Sequence, residues 1–502
     1  MFDLVLRGFG IVFTPTNFLV IFVGTVAGLI MGAMPGISAS MAVVIGMTFS
    51  YGMEPLPAIA FLVAVYCASI TGGSITAILF SIPGTPASAV ATFDGYPMAM
   101  EGKAGKALGY TFIASALGGL FSAFAMALLT QPLAKTALRF GPSEMFAVSF
   151  LGLSILTSLG EKNVIRTIIS GLIGLWLATI GIDPIYGTTR FTFGSVSLIK
   201  GVPMIPVMTG LFAVVEVLGQ MHKKESLDSE KMIKTKTEMM TLKEIWTYRA
   251  TIVRGSLLGT IVGIIPGAGA TIASFLAYAI EVKVSKNPEN FGKGEPRGII
   301  APEAANNAAT GGAMVPLLAL GIPGGNAAAI MLMALAIKGV NMGPLLLVSQ
   351  PIYMYTTFAS MFVVNIIMVV IAYYVAKGFA KILEIPYSML GTIILMLCFL
   401  GAFSASRNIS DVLLVVIAGI VGYGLSKAKF NMAGLVLGLV LGPIVEKNLR
   451  NAIVIAQGNL YEVFIAKPIT LVMLIIIVIL FMLPLIQSFM KNKEKETAQL
   501  ED

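Results

Sequence analysis

The stretch GTVAGLIMGAMPG, residues 24–36, governs the fold because it returns as GSLLGTIVGIIPG at residues 255–267. Gly24, Gly28, Gly32, Pro35 and Gly36 stand in register with Gly255, Gly259, Gly263, Pro266 and Gly267, each pair 231 positions apart. A Pro-Gly inside an apolar segment breaks a helix, and lipid offers the freed backbone groups no partner. Each break must therefore be shielded by protein or face a wet cavity. Paired breaks at matching positions of two halves point to the binding site of a secondary transporter.

The composition surrounding these breaks is that of a membrane protein. Hydrophobic residues make up 57% of the chain and charged ones 12%, with a mean hydropathy of +0.91; soluble domains carry roughly 25% charged residues. Residues 110–130, 145–159, 164–182, 353–375, 409–425 and 469–485 are apolar runs. A bilayer core takes roughly 20 such residues to cross. Counting short and Gly-interrupted runs, about 10 to 14 spans or part-spans are expected. The fold class is an all-α polytopic membrane protein.

Residues Met1 to Asn17 lack a basic region followed by a small-residue cleavage site, so the first apolar segment reads as retained. Cys67 and Cys398 have no CxxC spacing and no histidine nearby, and read as small buried hydrophobes. The net charge of +8 is spread over loops between apolar runs, which is a topology signal and not a nucleic-acid footprint.

No Lys or Arg occurs between Arg7 and Lys103, so the short loops of that stretch are poor candidates for the cytoplasm. The matching stretch of the second half is flanked by Lys243, Arg249 and Arg254 and interrupted by Lys283, Lys286, Lys293 and Arg297. Those loops read as cytoplasmic. The halves are thus expected to be inverted repeats: residues 1–220, a charged cytoplasmic linker 221–248, and residues 249–465, followed by a C-terminal transmembrane helix 466–490 and a polar tail 491–502. Gly255 to Ile265 and Ala268 to Ile280 reach only about 16 and 20 Å. With basic residues on both flanks, a re-entrant hairpin tipped by Pro266, Gly267 and Gly269 is preferred to one broken span.

The repeat continues downstream. Thr71-Gly72-Gly73 matches Thr310-Gly311-Gly312 at an offset of 239, and Ile82-Pro83-Gly84 matches Ile322-Pro323-Gly324 at 240. Gly171 and Gly174 pair more weakly with Gly419 and Gly422 at 248. Each half carries two breaks, then more ordinary spans.

With both Pro-Gly blocks, the run SITGGSITAILFSIPGTPASAVATFDGYPMA (residues 69–99) and PEAANNAATGGAMVPLLALGIPGG (residues 302–325) resemble the large membrane subunit of the tripartite tricarboxylate transporters, the TctA family, from about Phe18 to Leu485. That resemblance implies a bacterial inner-membrane permease working with a small TctB-like membrane subunit and a TctC-like periplasmic solute-binding protein. It also implies uptake of an organic carboxylate, such as the citrate of the family's name, driven by a cation gradient.

The residues can be weighed against that chemistry. A carboxylate held within the membrane needs donors without an unbalanced buried charge, and half-helix N-termini supply backbone N–H groups. Hydroxyl and amide side chains near the breaks complete such a site: Ser38, Ser40, Ser69, Thr71, Ser74, Thr85 and Ser88 in the first half, and Asn306, Asn307, Thr310 and Asn326 in the second. Half-helix carbonyls at Gly36, Gly72, Gly84, Gly267, Gly311 and Gly324, with Thr271, suit a transported sodium ion, which prefers oxygen ligands. Adjacent amides are costly to bury unpaired, which makes Asn306 and Asn307 the leading pair.

Blander readings stand beside these. Gly24, Gly28 and Gly32 form a small-residue stripe that lets helices approach, and Ser115 reads as bonded to its own preceding turn. Asp94, beside Gly95 and Pro97, reads as a cation ligand or, in preference, a loop cap, and Glu303, after Pro302 and three residues before Asn306, as a helix N-terminal charge. The sole histidine, His222, is in the linker, which excludes an intramembrane histidine relay and favours sodium.

A membrane enzyme would show a metal cluster, HExxH or a nucleophile with its base, and a pump would show a phosphate-binding GxxxxGK[ST] loop. None occurs in the sequence. A resident cofactor is not expected, and the partners are lipid, a carboxylate and protein subunits. The alternative is a stand-alone carboxylate transporter or channel-like subunit without a binding protein. An elevator-like alternating access is expected by analogy with other carboxylate transporters.

Overall fold

A computed structural model describes residues 2–34, 36–158, 164–183, 185–221, 237–382 and 387–482. Pro35, His222, most of the charged linker and the polar tail lie outside the described residues. Six helices among the described residues are long and apolar enough to cross a bilayer, and shorter apolar helices accompany them. Among the described residues β-structure amounts to one short antiparallel pair, Gly181–Ile182 with Thr189–Arg190. The protein is an all-α polytopic membrane protein.

Both Pro-Gly blocks turn a helix back on itself. In the second half, Arg249–Ile264 and Gly269–Val284 are arms of 16 residues each. Arg254, near the start of one arm, bonds Glu281, near the end of the other, at 2.9 Å. The open ends of the hairpin therefore share one face, and its tip points inward. In the first half the arms are Pro15–Ala33 and Ala39–Ser50, the second too short at about 18 Å to cross alone. Both arms meet the next helix at Val65, through Gly28 and Gly46.

A long buried helix follows each hairpin: Pro55–Phe80 and Arg297–Leu320. The glycine stripes explain how closely they pack. An added Cβ at Gly24, Gly28 or Gly32 would meet the carbonyls of Phe61, Val65 or Ser69, and one at Gly255, Gly259 or Gly263 those of Ala301, Ala305 or Ala309. Residue numbers rise together on both partners, so each first arm runs parallel to its long helix. The two sets of contacts are the same geometry, offset by 231 on the arm and 240 on the long helix.

That regularity corrects the alignment of the Thr-Gly-Gly triplets by one residue. Gly72 clears the Leu29 carbonyl, and the residue that clears the equivalent Thr260 carbonyl is Gly312. Gly311 instead makes room for Ser122 of the Ala104–Ala137 helix. The triplets look alike but meet different neighbours. Past them the copies rejoin: Ser81 and Gly321 end the long helices in the left-handed conformation, with φ of 58° and 73°. In each, the next N–H bonds back six residues, Ile82 to Thr76 and Ile322 to Pro316.

The faces are set by contacts between the halves. Lys338 donates to the carbonyls of Tyr51 and Met53, at 2.9 and 2.6 Å, which places the loop before Pro55–Phe80 beside the end of the Asn326–Ile337 helix. At the other end, Asp94 lies against the Lys-rich loop before Arg297. The long helices thus run in opposite directions. The expectation that all short loops between Arg7 and Lys103 avoid the basic face is corrected: Pro55–Phe80 carries the chain across, so the segment around Asp94 reaches that face without a cation of its own.

The linker returns beside the same region. Thr241 caps Leu242–Thr247 reciprocally with Glu244, and Glu244 also accepts from Lys106 at 2.8 Å and Tyr110 at 3.0 Å. Against the upward push of burial, Lys106, the Thr241 backbone and hydroxyl and the Tyr110 hydroxyl hold this carboxyl down at about 2. A depressed carboxyl stabilises the fold above its ordinary range and loses that contribution only as pH falls toward its folded value. Elsewhere, Arg190 and Arg450 bracket Asp183 and Glu446 in one ion network.

The hairpin base supplies a stability prediction. Glu281 is 2% exposed and keeps only Thr251, at 2.8 Å, if Arg254 is lost. Breaking a fully buried pair costs about 3–5 kcal/mol, and with Arg254 itself 37% exposed water screening lowers the expected loss to about 2 kcal/mol. Thermal unfolding of Arg254→Ala should show this drop, and Arg254→Ala/Glu281→Gln should recover part of it. An unchanged melting temperature in the single variant would show that the pair holds nothing.

Candidate functional site

The long helices cross at Thr71 and Asn307, and the crossing is polar. On Arg297–Leu320, positions 303, 306, 307 and 310 share one face by helical spacing, and they are Glu303, Asn306, Asn307 and Thr310. All four are at most 1% exposed. Thr71 donates to Asn307 Oδ1 at 2.8 Å. Asn307 Nδ2 donates to Asn306 Oδ1 at 2.7 Å and to the Glu303 backbone carbonyl at 3.2 Å. Thr310 donates to the Asn307 carbonyl at 2.6 Å, and Cys67 Sγ lies 3.8 Å from the Thr310 hydroxyl.

Glu303 anchors the other end of this face. Ser74 donates to its Oε1 at 2.6 Å and Ser115 to its Oε2 at 3.1 Å. One carboxyl therefore joins the long helices of both halves to the Ala104–Ala137 helix. The Asn306 side chain reaches the same carboxyl, although its Nδ2 makes no hydrogen bond of good geometry. Glu303 is thus a buried network member and not the exposed helix-end charge expected from Pro302. Ser115 likewise serves the network rather than its own preceding turn.

Ser115 is legible in the sequence only indirectly. With Gly118, Gly119 and Ser122 it forms a small-residue face at spacings of three, four and seven, which marks a close helix contact but not its partner. An added Cβ at Gly118 would meet the Ala304 carbonyl, one residue from Glu303.

The remaining candidates divide by position. Ser69 is fully buried and bonds its own turn at the Tyr66 carbonyl, 2.9 Å away. Thr85 and Ser88 bond each other after the first Pro83-Gly84 break, at 3.1 Å from the Thr85 N–H to the Ser88 hydroxyl. Ser38 caps Ala39–Ser50 by accepting from the Met41 N–H, and Ser40, Thr271 and Asn326 are half-buried beside the breaks. None of these joins the Thr71–Asn307–Glu303 network.

The glycines act chiefly in packing. Gly36, with φ of 85°, turns the first tip against Gln220, and Gly267, with φ of 83°, turns the second. The Gly267 N–H donates to the Gly324 carbonyl at 3.1 Å, tying the hairpin tip to the second break. Gly84 and Gly324 leave room for the carbonyls of Gly32 and Gly263.

Asp94 proves to be a clamp between the halves. Its Oδ1 accepts from the backbone N–H groups of Gly292, Lys293, Gly294 and Glu295 at 2.8–3.1 Å, and its Oδ2 from the Tyr278 hydroxyl at 2.9 Å. The loop-cap expectation holds in kind, but the loop that it caps belongs to the other half.

With the geometry established, comparison with known proteins assigns the chain. The model of the tripartite tricarboxylate transporter TctA family matches residues 18–437. The chain belongs to the TctA family. A protein of Agrobacterium vitis described as an uncharacterized 52.8 kDa protein in the TAR-I ttuC' 3' region is 35% identical over 491 residues, covering 97% of both chains. A second A. vitis protein, uncharacterized and in the TAR-II ttuC' 3' region, is 38% identical over 233 residues, 46% of this chain and 96% of its own. No solved structure matches the chain. In this TctA-family protein the matched region contains the second hairpin, all but the first three residues of the first, both long helices and the whole polar crossing.

Proposed function

We propose that this TctA-family protein is the permease subunit that imports an organic di- or tricarboxylate across the bacterial inner membrane, without catalysing a chemical reaction. It works with a small membrane subunit and a periplasmic binding protein that delivers the substrate. The observation that carries this reading is the pair of inward-pointing hairpins, each locked against a long helix by the same backbone approach in opposite orientation. Two such gates on opposite faces are what alternating access requires.

In this reading the half-buried Ser38, Ser40 and Asn326 and the backbone at the Pro-Gly tips meet the carboxylate, with Thr85 beside them. Asn306, Asn307, Thr71, Ser74 and Thr310 hold the two halves as one substrate-carrying unit behind that surface. The hairpins and long helices move together in an elevator-like step against the remaining helices. Thr271 and the carbonyls near Gly36, Gly72, Gly84, Gly267, Gly311 and Gly324 serve the coupling ion, for which sodium is proposed from their oxygen-only chemistry.

The test is uptake of radiolabelled di- and tricarboxylates into vesicles containing the chain and its small membrane partner, with and without the binding protein, under imposed sodium or proton gradients. Gradient-driven accumulation that requires the binding protein is the expected result. Downhill leakage that is indifferent to both gradient and binding protein would replace this reading with a channel.

A further inference from the structure

Three of the buried carboxyls among the described residues are held in different ways. Glu281 has the Arg254 guanidinium, and Asp94 has four backbone N–H groups and the Tyr278 hydroxyl. Glu303, 0% exposed, has two serine hydroxyls. Two such hydrogen bonds offset only part of the cost of an isolated charge in a dry interior.

No fixed cation among the described residues compensates it. Pro55–Phe80 carries no charged residue, and its titratable groups are Tyr66 and Cys67. The buried or half-buried cations of the other packed helices are engaged elsewhere, Lys106 with Glu244, Arg254 with Glu281 and Arg297 with Glu295, and Lys135, Arg249 and Lys283 lie exposed at the surface. On Gly269–Val284, Tyr278 bonds Asp94, and Tyr110 of Ala104–Ala137 bonds Glu244.

The Asn306 amide adds an independent sign. Its Nδ2 is fully buried and faces the Glu303 carboxyl without a hydrogen bond of good geometry, a donor that an ionised carboxylate would draw in. A carboxyl neutralised by a bound cation leaves that donor idle. When the cation departs, the same donor turns to the bared carboxylate.

We infer that Glu303, closed by Ser74 and Ser115, binds a monovalent cation, a proton or a sodium ion, which is loaded and released during the protein's working cycle. The shared chemistry is cancellation of a single buried negative charge by a hard cation among carboxylate and hydroxyl oxygens. Its place in a cycle rests on the transport function proposed above, whereas binding at Glu303 does not. In a low-dielectric interior the neutralised site also favours an arriving substrate anion, and by linkage the anion favours the cation.

The test uses the purified full chain in detergent, with no substrate or partner. Melting temperature is followed against sodium chloride at fixed pH, with choline chloride as control, and separately across a pH series without sodium. The wild type should exceed Glu303→Gln in its response in one of the two arms, which identifies the cation; the pH response that Glu244 and the other surface carboxyls give is common to both proteins and cancels in the difference, and Glu462→Gln, at an exposed carboxyl, should follow the wild type. Ser115→Ala retains the carboxyl and should shift the half-point of the responding arm roughly tenfold, the effect of one lost hydrogen bond to a charged group. Should Glu303→Gln not fold, the Ser115→Ala shift decides between binding and no binding. A wild type that responds in neither arm, a Glu303→Gln protein that responds as the wild type does, or an unshifted Ser115→Ala overturns the inference. Because vesicle uptake is measured separately, that outcome leaves the transport proposal standing or falling by its own test.

Discussion

Replacing Asn306 and Asn307 together by alanine will reduce coupled uptake by about a hundredfold, equivalent to about 3 kcal/mol, while the protein still inserts and purifies as a single species. Asn307 accepts from Thr71 of the other half and donates to Asn306 and to the Glu303 carbonyl. Its loss strips the crossing of the side-chain bond between the two long helices at that level, and each buried group left unpaired costs about 1–3 kcal/mol. The backbone packing is untouched, since Gly255, Gly259 and Gly263 still meet Ala301, Ala305 and Ala309. Vesicle uptake normalised to inserted protein measures the effect. Undiminished uptake by the double variant would remove the amide pair from the mechanism.

Gly32→Leu should abolish folding altogether. Its Cβ would collide with the backbone of Ser69 inside a helix that is buried along its length, so neither partner has a flexible end that can yield. Overpacking a core by a few carbons costs about 1–3 kcal/mol where side chains can adjust, and here the obstacle is main chain. The bulk would also part the Gly32 carbonyl from Gly84, opening the hairpin and the second break together. Gly424→Ala, in a helix where nothing lies within 4 Å of the new Cβ, should instead be neutral or raise stability by up to about 1 kcal/mol. Size-exclusion profiles and melting of the two variants decide the point; a Gly32→Leu protein that melts with the wild type would show the contact to be dispensable.

The contrast between these two glycines marks how far sequence reading reaches. A stripe of Gly24, Gly28 and Gly32 announces a close helix approach, and its repetition at Gly255, Gly259 and Gly263 announces that the approach is made twice. Which glycine of a pair meets which backbone is a different matter. Thr71-Gly72-Gly73 and Thr310-Gly311-Gly312 align by letter, yet only Gly312 shares the role of Gly72, because Gly311 is needed for Ser122. Small residues are selected wherever any neighbour is near, and the letter does not record the neighbour.

The polar residues show the same division. Asn306, Asn307, Thr71 and Ser74 stand out as polar groups beside paired breaks, and all four meet in the crossing. Ser38, Ser40, Thr271 and Asn326 stand out by the same rule and lie elsewhere, at the tips. Proximity to a break is local and covers both populations. Glu303 reads from Pro302 as a helix-end charge, a sound inference for an isolated helix that fails because the helix begins at Arg297, more than a turn earlier.

By itself, then, the sequence determined the membrane class, the paired breaks, the second-half hairpin and the small-residue faces, since helix breaking, apolar length and close packing follow from residues a few positions apart. Only the tertiary structure decided the one-residue shift between the Thr-Gly-Gly copies, the clamp of Asp94 on the opposite half and the closure of Glu303 by Ser74 and Ser115. The bonds of Asp94 to Tyr278 and of Glu303 to Ser74 and Ser115 join residues 184 to 229 positions apart, and their partners, like those of the glycines, are chosen by which helix faces meet, a relation that no local pattern encodes.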